Sequence, residues 1–301
     1  MSGSGIWPAG VRCAVVLSFD LDAETLWLSR NPRSADSPAC LAQGAYGPKV
    51  GVPRLLEMLR RQEVRSTFFI PGWVVERYPE TARAIAAAGH EIGYHGYLHE
   101  KPESAEQERE LIDKVKVIMS RVLGTTPVGH RSPLWECLPG LVDVLCASGF
   151  EYASNLMDAD LPYLHAATDG SGLVELPTSW LYEDAAHFFF TLQEPARRPI
   201  ATTDTVMNIW TAEFDGLYDE GGILVLTMHP QIMGRVSRVR MLDQFITYVK
   251  SRPGTWIAPG IDVARAVRPK LRAIPPYPAG GRPTPSPAAL PRSSHAGSNT
   301  P

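Results

Sequence analysis

The sequence predicts an α/β protein built as a parallel (β/α) barrel, and three observations point there. About eight short apolar, β-branched stretches alternate with segments of helical apolar spacing, the pattern of repeated βα units. The first of them, Ala14 to Leu17, is an unbroken apolar run, as expected of a strand buried on both faces of a parallel sheet. The length, 301 residues, suits one barrel-sized domain.

The stretch from Val11 to Glu24 is read as the first strand, ending in Asp20 and Asp22. Residues two apart in an extended chain point the same way, so both carboxylates are aimed into one space. The strand's C-terminal end is where parallel α/β folds collect their chemistry. From Asn31 to Pro53 the chain holds four prolines and glycines at 44, 47 and 51, and it is read as a long irregular loop covering a site. Helical spacing follows over Val52 to Gln62. A strand over Ser66 to Ile70 is stopped by Pro71-Gly72. A helix over Pro79 to Ala88 is closed by Gly89, and a short strand from His90 to Tyr94 runs into His95. Ser104 and Gln107 have capping-box spacing at the start of a helix reaching Leu123.

Beyond these, Val128 to Arg131 reads as a strand, Pro139 to Ala147 as a helix ended by Gly149, and Phe150 to Ser154 and Leu173 to Leu176 as strands. Gly222 to Thr227 is the clearest late strand and delivers Met228-His229-Pro230. A helix over Leu242 to Lys250 and a strand over Thr255 to Ala258 complete the pattern. Residues 1–10 are read as an N-terminal extension and 11–270 as one catalytic barrel. Residues 271–301 are read as a Pro/Gly/Ser-rich tail expected to be disordered.

Composition excludes several classes. A formal net charge of −3 gives no reason to expect nucleic-acid or membrane-surface partners. No window approaches the ~18 consecutive apolar residues of a membrane span, and the first residues show no basic segment followed by an apolar one. The reading is a soluble, cytoplasmic protein. Cys13, Cys40, Cys137 and Cys146 are scattered and read as reduced thiols.

Two aspartates converging at a strand end repel each other and call for a cation, a shared proton or a positive side chain. His95 and His99 are four apart, so one helical turn would put both imidazoles on one face. Two histidines and one carboxylate form a common catalytic zinc set with a position left for water, and Asp22 is the available third ligand. Arg131, between a short strand and Pro133, is placed to pair with one of the aspartates. His229, at a strand exit, is placed to act as a general acid.

These segments resemble the polysaccharide deacetylase family, the NodB-homology or carbohydrate esterase family 4 domain. The family's T-F-D-D-G stands here as S-F-D-L-D-A-E, and its H-[ST]-x-x-H as His95-Gly96-Tyr97-Leu98-His99. Its R-x-P-[WY] stands as Arg131-Ser132-Pro133-Leu134-Trp135, with one extra residue before the aromatic. Its L-x-L-H stands as Leu224-Val225-Leu226-Thr227-Met228-His229, with a longer gap. The matches cover most of residues 10 to 260. D-L-D-A-E, H-G-Y-L-H-E and L-T-M-H-P are similar to one branch, which includes cytoplasmic peptidoglycan-deacetylase-like proteins, cyclic imide hydrolases and allantoinase-like ureide hydrolases.

The resemblance implies a distorted (β/α) barrel of seven or eight mostly parallel strands, one divalent metal, most simply zinc, and hydrolysis of a non-peptide C–N bond. The substrate would be an N-acetylated amino sugar or glycan, or alternatively a cyclic imide or ureide. It implies that Asp20 is the general base, that Asp22, His95 and His99 hold the metal, that Arg131 orients Asp20 and that His229 is the acid. Asp184, in Trp180-Leu181-Tyr182-Glu183-Asp184, would be the fourth-motif aspartate, paired with Arg131 or His229. Tyr97 and Trp135 flank motif residues and are the candidates for substrate contacts. A homo-oligomer is also implied. Against these stand a phosphatase-type D-x-D, which lacks its late lysine and paired-aspartate motifs, and a non-catalytic metal-binding protein, which would not need base, arginine and acid together. His130 is read first as a structural residue, with support for a ligand as the alternative, Glu24 as either such a support or a solvated residue, and Phe188 to Phe190 as core or subunit interface.

Overall fold

A computed structural model of the protein describes residues 5–191 and 200–274. Its strands are β1 (Cys13–Asp20), β2 (Thr67–Ile70), β3 (Glu91–Tyr94), β4 (Gly129–His130), β5 (Tyr152–Ala153), β6 (Tyr163–Ala166), β7 (Gly172–Glu175), β8 (Ile223–Met228), β9 (Thr255–Ile257) and β10 (Ala273–Ile274). They form one curled sheet in the order β10-β6-β7-β5-β4-β3-β2-β1-β8, with β9 added to the first residues of β1. Every pairing is parallel except β6 with β7. This is the expected distorted barrel. Ten described strands stand where seven or eight were expected, and three of them are only two residues long.

All eight residues of β1 are buried, and the strand's alternation separates two packed layers. Cys13, Val15, Leu17 and Phe19 face the surrounding helices. Ala14 and Val16 face the barrel interior with Ile223 and Val225 of β8, Phe69 and Val174. Above them on the same side of β1 come Ser18 and Asp20, so the interior turns from apolar to polar toward the strand ends. Trp7 plugs the opposite end and donates its indole N–H to the Gly221 carbonyl at 2.7 Å. The residues read as an N-terminal extension thus pack against the barrel from Gly5 onward. At the other terminus, β10 pairs with β6, four residues past the expected edge of the domain. The expected tail from residue 275 onward lies outside the described residues.

Three expectations are corrected. Residues 31–53 are helical: a 3-10 turn over Pro32–Asp36, an α-helix over Pro38–Tyr46 and a π-helical turn over Gly47–Gly51 that runs into the helix Val52–Arg61. Pro32 and Pro38 stand in a first turn after an extended cap residue, where a missing N–H costs nothing, and Pro48 and Pro53 fall at the π-helical turn inside the continuing helical run. The second correction is the run from His95 to His99, which is a non-helical turn with Gly96 at φ +74° and His99 at φ +59°. Finally, the helices Thr203–Glu220 and Gly260–Val267 and the antiparallel β6 add to the expected elements. The first carried a readable signal in Val206, Trp210, Phe214 and Leu217, all buried, between a Thr202 cap and Gly221.

The π-helical turn abuts the segment after His229. A methyl group on Gly51 would stand 2.2 Å from the Pro230 carbonyl oxygen. Gly51→Ala is therefore expected to destabilise the fold by about 1–3 kcal/mol through overpacking. A urea midpoint equal to that of the unmodified chain would contradict this packing.

Candidate active site

Asp20 and Asp22 leave the end of β1 beside each other but meet different partners. Arg131, wholly buried just past β4, donates from Nη1 to Asp20 Oδ1 and to Ser18 Oγ, both at 2.8 Å. Its Nε reaches the Ser154 carbonyl at 3.2 Å, its Nη2 the Ser154 hydroxyl at 2.9 Å, and the guanidinium lies 4.3 Å above the Phe69 ring. The aspartate is thereby held by one oxygen, while Oδ2 lies 3.7 Å from His95 Nε2.

Asp22 has no such clamp. It is wholly buried, and neither carboxylate oxygen has a hydrogen-bond partner among the described residues. His95 Nε2 and His99 Nε2 lie 3.4 and 3.8 Å from its Oδ1, and His229 Nε2 lies 3.6 Å from its Oδ2. Burial alone would raise this carboxyl's pKa; His99, His95 and His229 overcome that and hold it well below the usual range. The ligand atoms of Asp22, His95 and His99 fall within 4.8 Å of one another. Ligands about 2.0–2.2 Å from a tetrahedral ion are separated by about 3.4 Å, so the spacing fits one cation. His95 Nδ1 donates to the Arg131 carbonyl at 2.8 Å, which turns its Nε2 toward Asp22. Burial pushes His99 down to about 4, a neutral imidazole.

His229 follows β8. Its Nδ1 meets Asp184 Oδ1 at 2.6 Å, and its backbone N–H donates to Asp184 Oδ2 at 2.8 Å. Burial disfavours the imidazolium, but the Asp184 carboxylate, aided by Asp22 and Glu183, overrides this and lifts His229 to about 10. Asp184, at the start of the helix Asp184–Phe188, pairs with His229 rather than with Arg131. Glu183, Asp184 and His229 also form a cluster of metal-ligating types, but the close Asp184–His229 pair commits two of its three members.

The cleft above these groups is narrow, about 50 Å³, and is walled by Leu26, Leu134, Trp135, Trp180, Ala185 and Phe189. Trp135 meets Trp180 edge to face at 4.5 Å between centroids. Leu134 and Trp135 both have positive φ, 56° and 57°. With Ala23 and His99, they are four of the five described non-glycine residues in that region, so the strain collects around the site.

Sequence reasoning placed Asp20, Asp22, His95, His99, Arg131, His229, Asp184 and Trp135 in one space, and the fold brings all of them together. Tyr97 is the exception. Its hydroxyl donates to Glu76 at 3.2 Å, Lys114 Nζ stands 3.1 Å over its ring, and it does not line the cleft. His130 lies 3.3 Å from Glu108 and 3.5 Å from Asn155, whose Oδ1 accepts the Ser132 N–H, and is buried against Tyr94 and Phe150, the structural reading. Glu24 accepts the Tyr78 hydroxyl at 2.5 Å. Phe188 and Phe189 are core residues. Ser18, Ser154 and Thr227 went unnoticed. Only Ser18, two before Asp20 on the same strand face, carried a sequence signal.

A family model described as polysaccharide deacetylase matches residues 45–153, the part that holds His95, His99 and Arg131. A crystal structure of a polysaccharide deacetylase-family protein from Mycobacterium smegmatis is 40% identical and covers 91% of this chain and 96% of its own, with a TM-score of 0.87. The Puue allantoinase structure is 25% identical, covers 86% and 91%, and has a TM-score of 0.76. The peptidoglycan deacetylase of Helicobacter pylori is 28% identical over 81% of this chain and 92% of its own. Among the described residues no helix is long and apolar enough to cross a membrane. At 40% identity over nine-tenths of both chains, the protein belongs to the polysaccharide deacetylase family, whose enzymes hydrolyse carbon–nitrogen bonds other than peptide bonds.

Proposed function

We propose that the protein removes N-acetyl groups from an amino sugar or glycan, with Asp22, His95 and His99 holding one divalent ion, zinc by the two-imidazole, one-carboxylate donor set. The observation that carries this reading is Asp22, a wholly buried carboxylate with both oxygens unpartnered among the described residues and two imidazole nitrogens at 3.4 and 3.8 Å. An uncompensated buried charge of this kind costs several kcal/mol. A bound divalent ion polarises a substrate carbonyl and brings the pKa of water to about 7.

The chain's own groups do the rest. Asp20 Oδ2, the oxygen that Arg131 leaves free, takes the proton of the attacking water. His229 Nδ1 is committed to Asp184, so its Nε2 is the atom that gives a proton to the leaving nitrogen. Trp135 and Trp180 wall the cleft and exclude water from the acyl group.

A second reading, ring opening of a small cyclic imide or ureide, is favoured by the cleft itself. Its narrow space between aromatic and aliphatic walls suits a flat ring. The allantoinase named among the relatives agrees with it. Both readings use the same residues.

Chelator-stripped and zinc-loaded protein should differ in turnover. Zinc-dependent acetate release from N-acetylglucosamine oligomers supports the first reading, and zinc-dependent ring opening of succinimide, hydantoin or allantoin supports the second. Silence on both substrate sets, with zinc bound, would favour a non-catalytic binding protein. Asp20→Asn should lower turnover by about 10²–10⁴-fold while metal content is unchanged, and undiminished turnover would remove Asp20 from its role.

Asp184→Asn should move the alkaline limb of the pH profile down from about 10, because His229 loses the carboxylate that raises it. The sign for stability is the same. A histidine raised from about 6.5 to about 10 adds stability that is complete below the lower value and lost as pH rises through the upper one. An unmoved limb in Asp184→Asn would contradict the pairing.

A further inference from the structure

Behind the Arg131–Trp135 segment lies a second cavity, about 340 Å³, between the helix Leu141–Ala147 and the strands β5 to β7. Its walls are apolar, formed chiefly by Leu138, Leu141, Val142, Leu145, Leu156 and Leu173. The lining also carries three buried polar side chains, Glu175, His165 and Asn155, exposed by only 1%, 3% and 4%, and the half-buried Asp143, whose Oδ1 accepts the Thr168 N–H at 2.7 Å. Glu175 Oε1 accepts the backbone N–H groups of Asn155 and Leu156, at 2.5 and 2.9 Å. Its Oε2 has no hydrogen bond among the described residues; His165 Nε2 faces it at 3.8 Å, an ion pair when that imidazole is protonated. His165 Nδ1 is also buried without a partner. No lysine or arginine lines the cavity.

A carboxylate at the end of an apolar cavity, satisfied on one oxygen only, asks for a cation that brings its own apolar body. We propose that this cavity is a binding site for a small monocyclic or aliphatic amine, its ammonium on Glu175 Oε2 and its hydrocarbon against the leucines. The volume is at the lower end of small-ligand pockets, which suits one ring and a short stem. The apolar walls do not suit a sugar. The site adjoins the clamp on Asp20, because Asn155 accepts the Ser132 N–H at 2.8 Å and the preceding Ser154 holds Arg131.

Calorimetric titration of the full chain with benzylamine, and with benzyl alcohol as its neutral isostere, tests this. Benzylamine should bind one to one, and benzyl alcohol about tenfold more weakly or worse, the worth of a hydrogen bond to a charged group. Glu175→Gln keeps an oxygen for the two backbone N–H groups and should weaken benzylamine by a similar factor. Val142→Trp, which fills the cavity, should abolish binding. The proposal is overturned if benzylamine does not bind, if the alcohol matches it, or if Val142→Trp binds as well as the unmodified chain. Should Glu175→Gln fail to fold, the amine-to-alcohol ratio on the unmodified chain decides.

Discussion

The buried Arg131 guanidinium ties the site together. It reaches Ser18 and Asp20 on β1 and Ser154 after β5, and its own carbonyl takes the His95 Nδ1–H. Strands that are not adjacent in the sheet are thereby locked to one another at the end where the chemistry sits. A charge so deep is tolerable only because the carboxylate, two hydroxyls, a carbonyl and the Phe69 face all answer it. Removing any of these partners would leave a buried charge exposed to less compensation, and Asp20 would lose the orientation that separates it from Asp22.

That separation gives two neighbouring carboxylates different duties. Asp20 is satisfied by a fixed cation inside the protein, whereas Asp22 is surrounded by imidazoles and has no hydrogen-bond partner among the described residues. His95 is oriented by a backbone carbonyl, while His229 is fixed by Asp184 with its other nitrogen turned to the cleft. Each reactive group is thus oriented by a partner behind it, the arrangement expected of a site prepared before its ligand arrives. The backbone shares in this: positive φ at Ala23, His99, Leu134 and Trp135 is strain gathered where the side chains must converge.

Much of this was legible in the sequence, for reasons particular to each residue. β1 and β8 announce themselves because strands buried on both faces leave unbroken apolar runs, and the residues at their exits are the reactive ones. His95, His99 and Arg131 are legible by motif. Other features depend on what meets across the fold. Asp184 finds His229 forty-five positions away, and nothing local decides between it and Arg131. Tyr97 meets Glu76 and Lys114 rather than the cleft, which its place between two motif histidines does not show. The prolines of residues 31–53 were read as breakers, yet Pro32 and Pro38 occupy first helical turns, and Pro48 and Pro53 sit at a π-helical turn that carries the helix on. Ser154 is a small polar residue with no pattern around it, and only the fold shows that it holds the arginine.

The account rests on Asp22 as the anchor of a divalent ion. Calorimetric titration of chelator-treated protein with zinc, beside its Asp22→Asn variant, addresses it directly. One equivalent bound by the unmodified chain, and affinity lower by about a hundredfold or more in the variant, is the result this account predicts. No binding by the folded, unmodified chain, or equal affinity in Asp22→Asn, would contradict it.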